Sequence, residues 1–263
     1  SGSTRVAAAR ASTLSERERA YVEALAAYYD NAELELYDRL KVFAKAMKDV
    51  HLAYPDDLEA KAFHAVTHLS TMTPGSVDLD VIDHASKMAF EVLGQDADHP
   101  GGHHYVIHAF DYPGLADKAV EVAQKYAKLA PDNPHSLHMP THIFTRLGMW
   151  EASITLNIRS AAAAKAQPHG KAVSLHYPHA LDYMLYGYLQ TGQEGKAREV
   201  VETIAAIQPP IQVHPASAYH LASARARWTL ERHDWPAAAE ISPRTPVDFP
   251  WDKFPQFEAL AQF

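Results

Sequence analysis

The chain contains no cysteine. That absence removes disulfides, thiolate metal ligands and a cysteine nucleophile, and it leaves the cellular compartment open. No apolar run reaches the roughly 18 residues expected of a membrane span. Positive charge is short too. Lys+Arg 24 against Asp+Glu 32 gives a formal charge of -8 with histidine neutral, the wrong sign for a footprint on nucleic acid or an anionic membrane. Strand-like alternation is nearly missing. The opening Ser1-Gly2-Ser3 reads as a cloning remnant rather than a signal peptide, so the native N-terminus is expected to be absent. What remains is a chain of 263 residues, 47% hydrophobic and 21% charged, able to bury a sizeable core and soluble in composition. Its unusual component is histidine, at 17.

Helical periodicity runs through the sequence and predicts an all-α protein. Apolar residues recur at helical spacing from Leu14 to Tyr29 behind a Ser15 cap, and again from Leu36 to Tyr54, where Tyr54-Pro55-Asp56-Asp57 closes the helix. Further starts are expected at Asp98 before Pro100, at Asn133 before Pro134, and at Tyr177 before Pro178, each placing proline where its missing N–H costs least. Pro140 falls inside a predicted helix, where it removes one backbone bond and bends the axis.

The starts have a rhythm. His104-Tyr-Val-Ile-His108 and His138-Met-Pro-Thr-His142 lie 34 residues apart, and the same offset aligns Phe110 with Phe144, Gly114 with Gly148 and Ala119 with Ser153. A later copy carries Gly192 and Ala197, after an insertion around Gln167 to Leu175, and a looser one carries Arg232-His233-Asp234-Trp235 with Ala238. A 34-residue period with glycine, small-residue and proline landmarks (Pro131) resembles the tetratricopeptide repeat (TPR). The segments around His99-Pro-Gly, His104, His108 and Asp111, around Leu137-His-Met-Pro and His142-Ile-Phe, and at His179-Ala-Leu-Asp182-Tyr also resemble a histidine-rich bacterial branch of TPR-like proteins of unassigned function. The resemblance implies a right-handed α-solenoid of antiparallel helix pairs whose first helices line a concave groove. The expected organisation is a single solenoid domain over 1–263. Within it, 14–54 forms an N-terminal helix pair and 55–240 the repeats. Residues 241–263 are a proline-rich segment with the start of a further helix. Neither end resembles a polar cap, which points to a fragment or an oligomer.

Helical geometry then sorts the histidines. Residues four apart share a helix face, so His104, His108 and Asp111 fall on one stripe, while Ile107 and Phe110 pack inward. The next helix places His135, His138, His142 and Thr145 on the equivalent stripe, and the one after it His179, Asp182 and Tyr186. A single histidine there is an ordinary polar groove residue. Several uncharged imidazoles at close range are a ligand set for a divalent metal ion. Zinc is the default for imidazole and carboxylate without thiolate, with Cu, Ni, Fe and Mn also accepting such donors. His104, His108, His138 and His142 together would close a structural tetrahedron. Three of the candidate ligands His104, His108, His138, His142 and His179 with Asp111 or Asp182 would leave an open position for catalysis. The first pair lacks the glutamate of a zincin motif. The chemistry that remains is metal-assisted hydrolysis or a related addition, with a carboxylate base and Tyr105, Tyr183 or Tyr186 near the developing charge.

The other histidines are assigned structural roles. His64 and His68 are expected on the packing side and His103 in the core, with His51, His84 and His233 isolated and His176, His214 and His220 at the rim. Three functional classes follow: a metal-dependent hydrolase acting on a small molecule or peptide held in the groove, a non-catalytic TPR scaffold for a peptide or partner helix, and a metal-binding protein without chemistry.

Overall fold

A computed structural model describes residues 13–260 apart from Pro74 and Pro243; the opening Ser1-Gly2-Ser3 lies outside the described residues. The architecture is all-α. Among the described residues the only extended pairing is two isolated bridges, His169 with Ala172 and Val173 with Ile211, and no described helix is long and apolar enough to cross a membrane. The backbone packs as two compact units, Ser1–Val122 and Ala123–Phe263.

In the first unit, α1 (Glu16–Asp30), α2 (Leu36–Ala53), α3 (Leu58–Leu69), α4 (Leu79–Gln95) and α5 (Pro100–Phe110) pack each on the next, and α3 also reaches α5. A short 3-10 turn at Ala116–Ala119 follows, and α6 (Val120–Leu129) runs on from it, with its residues from Ala123 onward counted in the second unit. Local chemistry accounts for the boundaries. Ser15 caps α1 in a reciprocal capping box with Glu18, and Asp57 and Asp78 cap α3 and α4, each meeting first-turn N–H groups that have no helical acceptor. The α5 cap is His99 rather than Asp98, because the His99 ring accepts from the N–H of Gly102. Ala24, Met47, Val50 and Ala60 form a core against Tyr21 and Phe43.

In the second unit, α7 (Pro134–His138), α8 (Pro140–Arg146), α9 (Trp150–Ala166), α10 (His176–Gln190), α11 (Glu194–Ala205), α12 (Pro215–Leu230) and α13 (Trp235–Ala239) again pack in sequence. Short connections at 147–149, 191–193 and 231–234 leave antiparallel neighbours. The first helices of successive pairs also touch, α7 against α10 and α10 against α12, so side chains on them share one wall. Starts at Pro100 and Pro134, and at Ala116 and Trp150, keep the 34-residue step. Gly114, Gly148 and Gly192 turn the chain between the helices of a pair at φ 79°, 68° and 68°, a backbone region that costs other residues about 1–2 kcal/mol. In the last repeat His233 holds the same place at φ 52°. Ala119, Ser153 and Ala197, the small landmarks, are fully buried. Pro140 splits the expected single helix into α7 and α8, with Met139 still helical at the joint.

Two further segments are anchored by contacts outside the repeat pattern. The insertion over 167–175 is tied down, because Val173 donates to the Pro210 carbonyl and accepts from Gln212. The proline-rich C-terminal stretch is part of the core. Phe249, Trp251 and Phe254 are buried among Leu221 and Ile204, and α14 (Pro255–Leu260) packs on α12.

Candidate metal centre

Three imidazoles meet in the second unit. Ring nitrogens of His138 on α7, His142 on α8 and His179 on α10 all lie within 4.8 Å of one another. His138 is buried, and the other two are half-buried. The first two nitrogens are closer still, Nε2 to Nε2 at 3.0 Å. Four ligands on a tetrahedral ion with Zn–N bonds near 2.0–2.1 Å stand about 3.3 Å apart, so this pair already spans one edge of such a site.

The surroundings fix which atoms face the centre. Asn157 on α9 donates through Nδ2 to the Ser153 carbonyl at 2.9 Å, so its Oδ1 is the acceptor offered to His138 Nδ1 at 2.8 Å. His138 therefore carries its proton on Nδ1 and presents the Nε2 lone pair inward. His142 has Tyr183 Oη near its Nδ1 at 3.4 Å. With the Tyr183 hydroxyl donating, His142 Nε2–H donates to His138; with Nδ1 protonated, Nε2 presents a second lone pair toward the centre. The His179 ring makes no hydrogen bond among the described residues and lies 4.0 Å from the His138 centroid. Burial first, and then the neighbouring imidazoles, hold His138 and His179 far below the usual histidine pKa. They are neutral donors at any physiological pH.

A carboxylate–imidazole pair stands behind His179. Asp182, fully buried, accepts from His220 Nδ1 at 2.9 Å, Ser223 Oγ at 2.9 Å and Arg227 Nε at 3.1 Å. The His220 ring stacks on His179 at 4.1 Å and 18°. Burial opposes the Asp182 charge most strongly, but His220 and Arg227 outweigh it and hold the carboxyl below its ordinary pKa. The Arg227 guanidinium also covers the Tyr186 ring at 4.7 Å.

The remaining sequence candidates sit as follows. His104 and His108 lie one turn apart on α5 in the first unit, centroids 4.6 Å apart and rings tilted by 37°, and Asp111 is the residue that ends that helix. His135 meets His176 at 5.3 Å. The Thr145 hydroxyl is paired with Ser153 at 3.1 Å. His103 is buried and bonded to the His99 carbonyl, and His214 caps α12. His220 is buried rather than at the rim. His51 and His84 are not isolated, because both join His64 and His68 in a cluster.

Sequence reasoning misses Asn157, His220, Ser223 and Arg227. For three of them a signal exists. Stepping 44 residues from His135, His138 and His142 gives His179, Asp182 and Tyr186, and a further 41 gives His220, Ser223 and Arg227. These are three repeat columns, and the last row is hidden because its glycine landmark is replaced by His233. Asn157 lies on the second helix of its pair, outside any stripe rule.

No family model and no curated protein matches the chain. Among solved structures it is similar to a thermophilic TPR protein of Thermus thermophilus, at 14% identity and TM-score 0.53 over 81% of this chain and 99% of that one. A tetratricopeptide repeat protein from Parabacteroides merdae matches at 9% identity and TM-score 0.43, over 93% and 100%. The first of these likenesses shows the fold, a TPR-like all-α solenoid.

Proposed function

We propose that the protein binds a divalent transition metal, zinc by default, at His138, His142 and His179, and uses it for hydrolysis of a small-molecule or peptide ligand. The observation that carries this is the meeting of three neutral imidazoles, with His138 held in its Nε2-lone-pair tautomer by Asn157. A three-histidine donor set without thiolate suits zinc and leaves a coordination position open. Such an ion supplies Lewis acidity toward a carbonyl or phosphoryl oxygen and acidifies water.

The chain's own groups supply the rest. His220, its Nδ1–H directed to Asp182, keeps its Nε2 free to accept a proton, and we assign it the role of general base. The Asp182 carboxylate is taken up by His220, Ser223 and Arg227, which makes it a positioning residue that orients His220. Tyr183, beside His142, is placed to donate to an oxygen that gains charge. The partial loss of solvent around His138 and His179 strengthens each of these interactions.

The test begins with protein purified without a nickel column. Stoichiometric zinc, and a fall in melting temperature on chelation that His142→Ala abolishes, are expected. The parent, His142→Ala and His220→Ala are then compared on ester, phosphoester and lactone substrates. Absence of bound metal, or activity retained in both variants, overturns the proposal. The TPR-like fold favours a second reading, a scaffold for a peptide or partner helix, under which chelation changes neither stability nor partner capture.

A further inference from the structure

A second histidine cluster occupies the first unit, and nothing in the proposed hydrolytic site uses it. His51 near the end of α2, His64 and His68 on α3 and His84 on α4 bring four imidazoles together from three consecutive helices. His51 Nδ1 and His64 Nδ1 are 3.1 Å apart, again close to the edge length of a tetrahedral site. Ring centroids are separated by 5.3 Å for His51 and His64, 6.1 Å for His64 and His68, 5.9 Å for His64 and His84, and 5.1 Å for His68 and His84. Imidazoles sharing one tetrahedral ion have centroids about 5 Å apart, from the Zn–N bond length and the size of the ring. In the His138 centre the corresponding separations are 4.8, 4.0 and 6.3 Å.

We propose that His51, His64, His68 and His84 form a second binding site for a borderline transition-metal ion, Zn(II), Co(II), Ni(II) or Cu(II). His51 and His64 supply the preformed edge. His84 is exposed and His68 half-exposed, so these two rings complete the shell by turning about their side-chain torsions at small cost. Neither ring makes a hydrogen bond among the described residues. The charge setting is consistent. Burial, followed by neighbouring cationic and imidazole groups, holds His64 down at about 4 and lowers His51 and His68. The charged groups acting on the cluster are Lys48, Lys61, Glu91 and Asp78. Lys61 is itself paired with Glu91 at 3.0 Å. Neutral imidazole without carboxylate or thiolate donors selects these ions over Ca(II) and Mg(II).

The experiment titrates Zn(II) and Co(II) chloride into the chelator-treated full chain, reading stoichiometry by elemental analysis and tetrahedral Co(II) by its visible absorbance. Three proteins are compared: the parent, His142→Ala/His179→Ala and His51→Ala/His84→Ala, with circular dichroism checking the fold. Two ions per parent chain are expected, one remaining in each double variant. His68→Asn, at a half-exposed position, removes one of the four ligands and is expected to weaken the second ion by more than the roughly 10- to 100-fold that loss of a group supporting a ligand costs. A single ion that survives His142→Ala/His179→Ala and is lost in His51→Ala/His84→Ala supports this site while rejecting the hydrolytic one. No ion in His142→Ala/His179→Ala, or unchanged affinity in both His51→Ala/His84→Ala and His68→Asn, overturns it.

Discussion

Replacing Asp182 by asparagine is the sharpest perturbation of the second unit, because it keeps the shape of the side chain and removes only its charge. Asp182 is 1% exposed and accepts from three donors, one of them the Arg227 guanidinium. In Asp182→Asn, one amide oxygen remains to accept, and the new NH2 faces a donor. Breaking a buried ion pair by removing one partner costs about 3–5 kcal/mol. Arg227 retains 26% side-chain exposure, and water there partly replaces the lost carboxylate, so the lower end applies, about 3 kcal/mol. For a unit of this size that corresponds to a fall in melting temperature of roughly 10 °C. Thermal unfolding followed by circular dichroism measures it. Ser223→Ala, which removes one hydrogen bond to a charged acceptor, is the internal scale at about 1.5 kcal/mol. The double variant Asp182→Asn/Arg227→Met, which leaves no orphaned charge, should recover part of the loss. A stability for Asp182→Asn within about 1 kcal/mol of the parent would mean that the three bonds carry no structural weight.

The same carboxylate sets an acid limit. Its folded pKa lies below the ordinary 3.8, so its stabilisation is present above that value and is lost as pH falls through the folded one; in acid unfolding, the parent should lose its advantage over Asp182→Asn only below pH 3.8. Asn157→Leu frees the His138 tautomer, and Co(II) affinity at the His138 centre is expected to fall roughly 10- to 100-fold, read by competition with a chelating dye. His233→Gly relieves a left-handed residue at φ 52° and should raise urea-unfolding stability by about 0.5–1 kcal/mol, whereas Gly148→Ala at φ 68° should lower it by about 1 kcal/mol. A Cβ at Gly187 would stand 2.7 Å from Ile154 Cγ1, so Gly187→Ala displaces the Ile154 side chain at the α9–α10 crossing and should cost about 1–3 kcal/mol by the same assay.

The repeat is legible because its landmarks answer to backbone necessity. A left-handed turn requires glycine at 114, 148 and 192, a close crossing requires small residues at 119, 153 and 197, and proline is readable as a helix start or break at 100, 134 and 140. These needs are local, and the local sequence meets them. The His99 cap escapes such reading because an imidazole seldom takes that role, and Asp98 beside it is the better capping residue by type. The packed C-terminal aromatics escape it for a different reason. Phe249, Trp251 and Phe254 follow no helical period, and their burial depends on the groove they meet in the core of the second unit.

The histidine sites divide at the same place. Four histidine pairs have i, i+4 spacing. In three the ring centroids stand 6.1 Å apart at His64 and His68, 4.6 Å at His104 and His108, and 4.8 Å at His138 and His142; in the fourth, His99 caps α5 and His103 bonds to its carbonyl. Spacing brings rings near one another within a helix and cannot by itself distinguish a ligand pair from a packing pair. Each of the two proposed centres adds an imidazole from another helix: His179 on α10 joins His138 and His142, and His51 on α2 and His84 on α4 join His64. His179 belongs to the repeat column of His135, not to that of His138. The convergence thus crosses columns, one helical turn out of register, and follows from how α7 lies on α10. Pro140 contributes by ending α7 immediately after His138, so that His142 starts from a separate helix and its Nε2 can approach that of His138 to 3.0 Å. A Pro140→Ala chain has the backbone donor to make the helix continuous. If the break sets the approach of the two rings, that variant should keep its fold and lose Co(II) affinity at this centre alone, leaving the His51 cluster unchanged. Equal affinity in parent and Pro140→Ala would assign the approach to the packing of α9 beneath the pair instead.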